Sequence, residues 1–393
     1  MTSSISGSRG PRVSIVNYTL SMMRGGGETR DLAFATHLRD LGCDVTLISV
    51  DPVLGKVRHP ITGVPSRLLR APYFRDLVYR LMVLPKTGRL ATFLLNQDFK
   101  RFSKAVIDLV ADPAYPIDIL QAAGLYPVVE VKRRRAVPVI IRNQGGLPAK
   151  WLRPYVPMAD AIIGDGWDAL NFEQALGREL VEVTGGVDSE LFRPVDPDPE
   201  LQTRLAGRAI LLYVGRFVPL KNLPMLIDAF AEVRRARPEA ALVMVGEGAL
   251  EGQFREQVTR LGLDADVTFL GHQPQSRLPG LYAASDIVIL SSIFDNSPNC
   301  ILEANACERP VVATRVGGVP RYVTEGENGL LADTNDADGF AKAIIELLSQ
   351  PERARAMGLA GRQRILERHS WRKSAEKLVG LYERLLAAGA RPL

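Results

Sequence analysis

The chain has 393 residues, of which 46% are hydrophobic, 24% are charged and 7% are aromatic, and its formal net charge is +5. This length predicts two domains and allows three, and the composition of an ordinary folded protein excludes wholesale disorder, collagen-like structure and a coiled coil. No apolar run approaches the roughly 18 residues of a membrane-spanning helix, and the polar start, MTSSISGSRGP, predicts an unstructured leader rather than a secretory signal.

The first half of the chain predicts a βαβ unit and therefore a parallel sheet. A strand-like run, Arg12–Asn17, is followed by three glycines, a helical pattern that ends at Gly42, and a second strand, Asp44–Val50. Elements in this order place helices on the faces of a parallel sheet. Further strands are predicted at Ile117–Gln121, Val137–Arg142, Ala161–Gly164 and Val181–Val183.

The second half repeats the alternation after a segment rich in proline and acidic residues, Arg193–Glu200. We expect domains at 1–190 and 208–370, a linker at 191–207, and a C-terminal helix within 371–393 that crosses back to the first domain. Ligands of doubly wound α/β sheets bind at the carboxyl ends of the strands, so two such domains predict a site in an interdomain cleft. The predicted strands are Ile210–Val214, Ala241–Val245, Val267–Leu270, Ile287–Leu290, Val311–Ala313 and Gly329–Leu331. The predicted helices are Leu223–Arg235, Leu250–Leu261, Ser276–Ala284, Pro298–Cys307, Ala337–Leu348 and Trp371–Leu386.

Positive charge is concentrated between Ser66 and Ala105, where nine basic residues stand against two acidic ones and aromatic residues are interleaved. One interpretation is a solvated helical face whose apolar residues turn to the core. The other is a surface for an acidic partner such as an anionic lipid, a phosphorylated acceptor or a nucleic acid.

Cysteine and histidine residues predict neither a disulfide framework nor a metal site. The cysteines, Cys43, Cys300 and Cys307, are odd in number and lack metal-ligand spacing, which is typical of reduced thiols in a cytosolic protein. The four histidines are dispersed along the chain, without the paired spacing of a metal site.

Two loops that follow predicted strands carry charged residues suited to a phosphorylated ligand. Arg216 and Lys221 follow the strand end at Gly215, directly before a helix, and can bind a diphosphate; two exposed loop cations are the simpler interpretation. In the second loop, Asp295 precedes a helix that contains Glu303. We expect Ser297 to cap that helix and Pro298 to begin it. The backbone N–H groups of Asn299, Cys300 and Ile301 would then face an anion.

Two glycine-rich segments resemble nucleotide-binding loops to different degrees. Gly26 and Gly27, before the first helix, allow close approach of a phosphate, although a plain turn explains them equally well. Ala241–Gly252 imitates a dinucleotide fingerprint. Its glycine spacing is one residue too long, and no ribose-binding acid follows the next strand, so a nicotinamide enzyme is disfavoured.

Taken in order, these segments resemble the retaining nucleotide-sugar glycosyltransferases of family 4, which have the GT-B fold of two facing Rossmann-like domains. The similarity covers nearly the whole chain and is strongest from Ile210 to Leu331. The residues that carry it are GGGE near the start, Gly185–Asp188 with Phe192–Pro194, Val214–Arg216 with Lys221, Val245–Gly248, Phe269–Gly271, Asp295–Ala304 and Pro310–Gly318.

The resemblance implies roles for the charged residues. Arg216 and Lys221 would bind the donor diphosphate and stabilise the leaving nucleotide, Glu303 would hold the ribose hydroxyls, and Asp295 would contact the donor sugar. It further implies that Gly26 and Gly27 close over the phosphates and that Gly215, Gly246, Glu247 and His272 border the nucleotide. The co-substrate would be a UDP- or GDP-sugar, with no other cofactor and no catalytic metal.

Three positions depart from the family pattern. Asp295 stands where glutamate is common, and Glu308 stands where glycine is usual. Asn143 and Gln144 follow the strand after which many members have a histidine. Either amide can donate a hydrogen bond to a sugar, but neither can act as a base.

The resemblance therefore implies a retaining, metal-independent hexosyltransferase whose first domain binds the acceptor. The acceptor would be a sugar, a lipid-linked molecule or a small molecule. We expect a cytoplasmic location, with peripheral contact to an anionic membrane. We do not expect a nucleic acid partner. Two alternatives remain open: a nucleotide-sugar epimerase or phosphorylase of related fold, and a non-catalytic nucleotide-sugar or glycan-binding protein.

Overall fold

The computed structural model describes residues 10–22, 26–53, 56–73, 88–143, 153–164 and 177–389; within these ranges the side chains of 26–27, 88–92, 95–96 and 126 are not described. The chain divides into two compact units, residues 1–184 with 374–393 and residues 185–373. Each unit is an α/β sandwich around a parallel sheet, so the predicted fold class of two Rossmann-like domains is confirmed.

The sheet of the first unit has seven parallel strands among the described residues, in the order β3-β2-β1-β4-β5-β6-β7. The strands are β1 (Arg12–Val16), β2 (Asp44–Pro52), β3 (Ser66–Ala71), β4 (Ile119–Ala123), β5 (Val139–Arg142), β6 (Ala161–Gly164) and β7 (Val181–Glu182). The described α-helices of this unit's N-terminal part are α1 (Gly26–Asp40) and α2 (Gly88–Ala111), and two 3₁₀ helices span Tyr126–Arg133 and Val156–Met158.

The strand β3 has no counterpart among the predicted elements. It is an edge strand that pairs only with β2 among the strands described, and its first five residues are exposed or half-exposed. Arg67 and Arg70 lie on it, so part of the basic segment is a sheet edge rather than a helical face. Charged side chains on an edge strand hinder pairing with a second sheet.

The sheet of the second unit has six parallel strands, all within the described range 185–373, in the order β10-β9-β8-β11-β12-β13. The strands are β8 (Ala209–Val214), β9 (Ala240–Val245), β10 (Val267–Gly271), β11 (Ile287–Leu290), β12 (Val311–Thr314) and β13 (Gly329–Ala332). Strand order reverses between β8 and β11, and ligands of open α/β sheets bind at the carboxyl ends of strands at such a point.

Helices cover both faces of this sheet. Those that match a predicted helix within a few residues are α4 (Leu223–Ala236), α5 (Glu251–Arg260), α6 (Leu278–Ala284), α7 (Asn299–Ala306), α9 (Ala337–Ser349) and, mostly within the first unit, α11 (Trp371–Ala388). Those without a predicted counterpart are α3 (Pro199–Arg204), α8 (Val319–Tyr322) and α10 (Pro351–Arg364). Strands buried on both faces, such as β9, are uniformly apolar because each face packs against helices. No helix among the described residues is long and apolar enough to cross a membrane.

The segment 191–207, which the sequence suggested as a linker, lies inside the second unit. It contains α3, whose N-terminus is capped by the Asp198 carboxylate, and Arg277 pairs with that carboxylate at 2.7 Å. Leu201 and Leu205 are buried in the core of this unit. Proline and acidic residues therefore mark a helix start here rather than a free connection.

The helix α11 begins in the second unit, and its residues from Ser374 onward belong to the first. Leu378, Leu381 and Tyr382 are buried on it, and the Tyr382 hydroxyl donates to Gln121 Oε1 at 2.8 Å. This helix is thus packed into the first unit from Ser374 onward.

Candidate active site

Three glycines join the carboxyl ends of β8, β9 and β10 by backbone hydrogen bonds. The Gly215 N–H donates to Val245 O at 3.0 Å, and the Gly246 N–H donates to Gly271 O at 2.9 Å. Gly246 has a φ of +135°, and a Cβ there would lie 1.9 Å from Gly215 O. Glycine is required at this position because a side chain would separate the strand ends.

Ala241–Gly252, the segment that imitates a dinucleotide fingerprint, also has glycines because its backbone packs closely against a neighbouring loop. A Cβ at Gly248 would lie 2.2 Å from Phe217 O, and the Phe217 N–H donates to Glu247 O at 2.9 Å. Gly246 and Gly248 therefore allow the loop after β9 to pack against the loop after β8. The side chains of Glu247 and His272 are exposed beside these backbone contacts.

A short, fixed turn presents Lys221. Residues Pro219–Lys221 form a 3₁₀ turn that ends at Asn222, which has a left-handed backbone with a φ of 49°. The Asn222 amide donates to Asn335 Oδ1 at 3.0 Å, and the Ser291 hydroxyl donates to Lys221 O at 2.7 Å. These contacts hold the base of the lysine side chain from two sides.

The Lys221 ammonium forms an ion pair with the Asp295 carboxylate. Both side chains are largely buried, with 17% and 15% of their surfaces exposed. The Asp295 backbone is held as well, because its carbonyl accepts the Gly318 N–H at 2.8 Å. Arg216 is exposed and directly follows Gly215, at the switch point of the sheet.

A second polar pair lies on the helices α6 and α7. The Tyr282 hydroxyl donates to Glu303 Oε2 at 2.7 Å. Tyr282 is fully buried and Glu303 is partly exposed. Burial raises the pKa of Glu303 to about 7, and the hydrogen bond from Tyr282 opposes this rise.

The charges of Lys221, Asp295 and Glu303 converge around one buried thiol. Burial raises the pKa of Cys300 to about 12; Lys221 opposes the rise, while Asp295 and Glu303 add to it. Burial also raises the pKa of the Tyr213 hydroxyl, on which Asp295 and Arg216 act in opposite directions. The four charged residues singled out in the sequence therefore share one electrostatic neighbourhood at the carboxyl edge of the sheet.

The cysteines are buried, unpaired thiols. Burial raises the pKa of Cys43 to about 11 and that of Cys307 to about 12. A protonated, buried Cys300 cannot bind a ligand through sulfur, so only its backbone remains a candidate contact.

The start of α7 differs from the prediction. Pro298 has a ψ of 106°, outside the helical range, so the helix begins at Asn299 and Pro298 is the residue before it. Ser297 does not cap the helix; its hydroxyl shares a hydrogen bond of 2.9 Å with Tyr322. The predicted anion contact through Ile301 is wrong as well, because the Ile301 N–H donates to Pro298 O at 3.2 Å.

The candidate residues of the first unit lie at two neighbouring elements. Gly26 and Gly27 form the first residues of α1, and Asn143 directly follows β5, where its N–H donates to Ile163 O at 2.8 Å. Gln144 lies outside the described residues, as does Gly25.

A buried polar cluster, unforeseen in the sequence, connects these two elements. Arg142 pairs with Asp31 of α1 at 2.7 Å, and Asp31 also accepts from the Asn17 amide at 2.6 Å. Burial raises the pKa of Asp31, while Arg142 and Asn17 oppose the rise. The cluster fixes the start of α1 against the end of β5.

Comparison with solved structures identifies the class of protein that has this architecture. Sucrose-phosphate synthase from Thermosynechococcus elongatus superposes with a TM-score of 0.77 at 22% identity, over 96% of this chain and all of that one. Anabaena HepE, solved with UDP and glucose, gives a TM-score of 0.72 at 20% identity, over 95% of this chain and all of that one. The fold is that of the GT-B glycosyltransferases.

Curated relatives then define the family. The GDP-mannose-dependent alpha-(1-6)-phosphatidylinositol monomannoside mannosyltransferase of Mycolicibacterium smegmatis is 31% identical over 66% of this chain and 74% of that protein. The D-inositol 3-phosphate glycosyltransferase of Segniliparus rotundus is 37% identical over 53% of this chain and 47% of that protein. The family model of glycosyl transferases group 1 matches residues 200–364. The chain belongs to the group 1 glycosyltransferases.

Proposed function

We propose that this protein transfers a hexose from a UDP- or GDP-sugar to an acceptor hydroxyl with retention of the anomeric configuration. The observation that supports this best is the Lys221–Asp295 ion pair near Glu303 and beside the strand end that carries Arg216. Cations suited to a diphosphate and carboxylates suited to sugar and ribose hydroxyls lie at the switch point of one sheet.

In the proposed reaction, Arg216 and Lys221 bind the diphosphate and stabilise the negative charge that grows on it as the sugar leaves. The bond between the anomeric carbon and the phosphate oxygen breaks, and the acceptor oxygen forms its bond on the same face of the sugar. The acceptor proton passes to the departing phosphate oxygen, so no protein base is needed. Asp295 contacts the sugar, and Asn143 or Gln144 donates a hydrogen bond to it.

The remaining contacts involve backbone and loop residues. We assign the nucleotide environment to Gly215, Gly246, Glu247 and His272, and the phosphate environment to the N–H groups of Asn299 and Cys300 at the start of α7. Gly26 and Gly27 would approach the phosphates from the first unit, which we propose also binds the acceptor.

Incubation with a panel of UDP- and GDP-sugars tests the proposal. GDP-mannose is the first donor to try, because the Mycolicibacterium relative is GDP-mannose-dependent. One donor should release free nucleotide in the presence of an acceptor, and nuclear magnetic resonance of the product should show the donor's anomeric configuration. An inverted product refutes retention, and sugar epimerisation or attack by phosphate favours the alternatives.

Lys221→Ala tests the assignment of the leaving-group cation. Turnover should fall by about two orders of magnitude or more, because charge stabilisation in the transition state is lost. Lys342→Ala, at an exposed position of α9 in the same unit, should retain normal turnover. Equal activity of both variants would remove Lys221 from the site.

Metal independence is part of the proposal. Among the described residues, no group of three histidine, cysteine, aspartate or glutamate side chains is arranged to hold a metal ion. We expect turnover to survive exhaustive treatment with a chelator. Loss of activity that returns with Mg²⁺ or Mn²⁺ would overturn this part of the proposal.

A further inference from the structure

Tyr282 donates a hydrogen bond to Glu303, but the reaction proposed above assigns no role to Tyr282. Tyr282 is on α6, 21 residues before Glu303, and its ring is fully buried. The rings of Tyr282 and Phe192 pack in a T-shaped arrangement, with 6.1 Å between ring centroids and 68° between ring planes. The ring therefore has a fixed position, and so has the hydroxyl that it carries.

The hydrogen bond orients the Glu303 side chain. A carboxylate that stands alone on a helix can adopt several rotamers, but here the donor Tyr282 Oη holds Oε2 at 2.7 Å. An ionised carboxylate has about four acceptor positions on its two oxygens. With one occupied by Tyr282, the remaining positions are available to ligand hydroxyls.

We propose that Tyr282 is a positioning residue for ribose recognition, its buried hydroxyl holding the Glu303 carboxylate in the orientation that accepts the ribose hydroxyls of the nucleotide. This inference rests on the proposed function, because it requires a nucleotide at this site. Tyr282 acts through Glu303 and does not itself touch the ligand.

The hydrogen bond from Tyr282 also affects the pKa of Glu303 and therefore the pH dependence of nucleotide binding. Burial raises the pKa of Glu303 to about 7, and the Tyr282 hydroxyl lowers it by donating to the ionised form. Ribose recognition needs the ionised form, so affinity is present above this pKa and is lost as the pH falls through it. Removal of the hydroxyl would move that loss to a higher pH.

Several other ionisable groups lie near α7. Burial raises the pKa of Cys300 on this helix and of Cys307 directly after it to about 12, so both thiols stay neutral near pH 7. Arg362 donates to Ala306 O at 2.6 Å. The further ionisable groups on elements around this helix are Lys221 and Asp295 beside Cys300, Glu308 and Arg309 beyond its end, and His369 against Tyr322.

The test uses Tyr282→Phe in the full-length chain, with UDP, GDP and their 2′,3′-dideoxy forms as probes in calorimetric titrations. The wild type should prefer the ribonucleotide, because the dideoxy form leaves Glu303 without partners. Tyr282→Phe should reduce this preference about tenfold at neutral pH and should shift the midpoint of its pH dependence upward from about 7. Affinity for the dideoxy form should change little.

Two further variants separate positioning from general damage. Tyr382→Phe removes the hydroxyl of another buried tyrosine, which bonds to Gln121 in the first unit, and should keep the wild-type preference. Glu303→Gln should abolish the preference, and adding Tyr282→Phe to it should reduce ribonucleotide affinity no further.

The outcomes distinguish the inference from the function on which it rests. A wild type that binds neither nucleotide overturns both. A wild type that prefers ribonucleotides, with a Tyr282→Phe variant of the same preference and pH midpoint, overturns the role of Tyr282 alone. Equal losses for ribo and dideoxy forms would reveal a purely structural tyrosine and would also overturn it.

Discussion

At the residue scale, the ion pair between Lys221 and Asp295 affects how a diphosphate would bind at the candidate site. Lys221 already has an anionic partner, Asp295, and both are largely shielded from solvent. A diphosphate that approaches Lys221 therefore competes with Asp295 for the ammonium and meets the repulsion of its carboxylate. In the proposed reaction, partner exchange would release Asp295 to the donor sugar, so the ion pair would link phosphate binding to sugar binding.

Replacing Asp295 with asparagine should separate these two effects. In Asp295→Asn we expect UDP or GDP to bind about three- to tenfold more tightly, because a nearby negative charge is removed. Turnover should fall, because the contact with the sugar is weakened. Calorimetry and steady-state kinetics measure the two quantities, and Asp338→Asn, at an exposed site on α9, is the control. Weaker nucleotide binding in Asp295→Asn would contradict the competition.

Glu308 has a backbone conformation that suits glycine. Its φ of 59° lies in the left-handed region, and it directly follows Cys307, the C-cap residue of α7. Glycine, which the family resemblance led us to expect at this position, adopts this conformation without a Cβ penalty. Glu308→Gly should stabilise the protein by about 1 kcal/mol, which corresponds to about 2–4 °C in the melting temperature. Glu308→Ala keeps the Cβ and should gain much less; equal melting temperatures for the two variants would argue against backbone strain.

The sequence indicates the charged residues of the candidate site but not the tyrosine that holds one of them. Local patterns reveal Arg216, Lys221 and Asp295 in loops after strands, and Glu303 within the helix that follows Asp295. Tyr282 lies in an apolar helical run and has the pattern of a core residue. Its hydroxyl acquires a partner only when α6 and α7 pack together, and no local pattern contains that information.

At the scale of elements, the glycines at the strand ends determine whether the site can form. Gly246→Ala would place a Cβ 1.9 Å from Gly215 O at a φ of +135°. We expect destabilisation of the second unit by more than about 2 kcal/mol, with faster amide hydrogen exchange at the ends of β8 and β9. Nucleotide affinity should fall with it, because the loops carrying Arg216 and Glu247 move apart.

Gly252→Ala is the matched control for this substitution. Gly252 lies in α5, a few residues further along, and a Cβ there would meet nothing within 4 Å. Alanine in a helix is favoured over glycine by up to about 1 kcal/mol, so this variant should be as stable as the wild type or more stable. A similar loss of stability in both variants would show that the close approach at Gly246 is not its cause.

Most elements could be predicted because burial imposes a regular pattern on them. The strands β8, β9 and β11 are apolar runs of strand length, and α9 has one apolar face. The strand β3 was missed because its side chains are largely exposed and two are arginines, which is a pattern typical of surface helices too. The helix α3 was missed because proline and acidic residues mark both linkers and helix starts.

At the scale of the whole molecule, the unit into which the C-terminal helix α11 packs is decided by contacts between residues that are distant in the chain. Tyr382 and Gln121 are 261 residues apart, and their hydrogen bond is buried within the first unit. The sequence shows an apolar stripe on α11 and therefore a helix that needs a partner. Which surface provides that partner follows from three-dimensional packing alone.

The uneven charge of the chain bears on the acceptor side of the proposed reaction. Within the basic segment, Arg67 and Arg70 lie on the edge strand β3, and Lys100, Arg101 and Lys104 lie on α2. Lys100, Arg101 and Lys104 are exposed, although Lys104 is also paired with Asp108 at 2.7 Å. The other basic residues, Arg75, Arg80, Lys86 and Arg89, lie outside what the structure describes in position or in side chain.

We expect the protein to associate with anionic vesicles, and the exposed basic residues of α2 to contribute to this association. Each cation near a charged bilayer adds about 1 kcal/mol, so replacing Lys100, Arg101 and Lys104 with serine should weaken binding to phosphatidylglycerol vesicles by at least about tenfold. Raising the salt concentration should also weaken the binding of the wild type to these vesicles. The triple replacement of Arg260, Lys342 and Arg355, which are exposed in the second unit, removes the same net charge and should leave vesicle binding largely intact. Equal losses in the two triple variants would mean that net charge alone drives association. Association that is absent, or that does not respond to salt, would instead favour an acceptor that is free in solution.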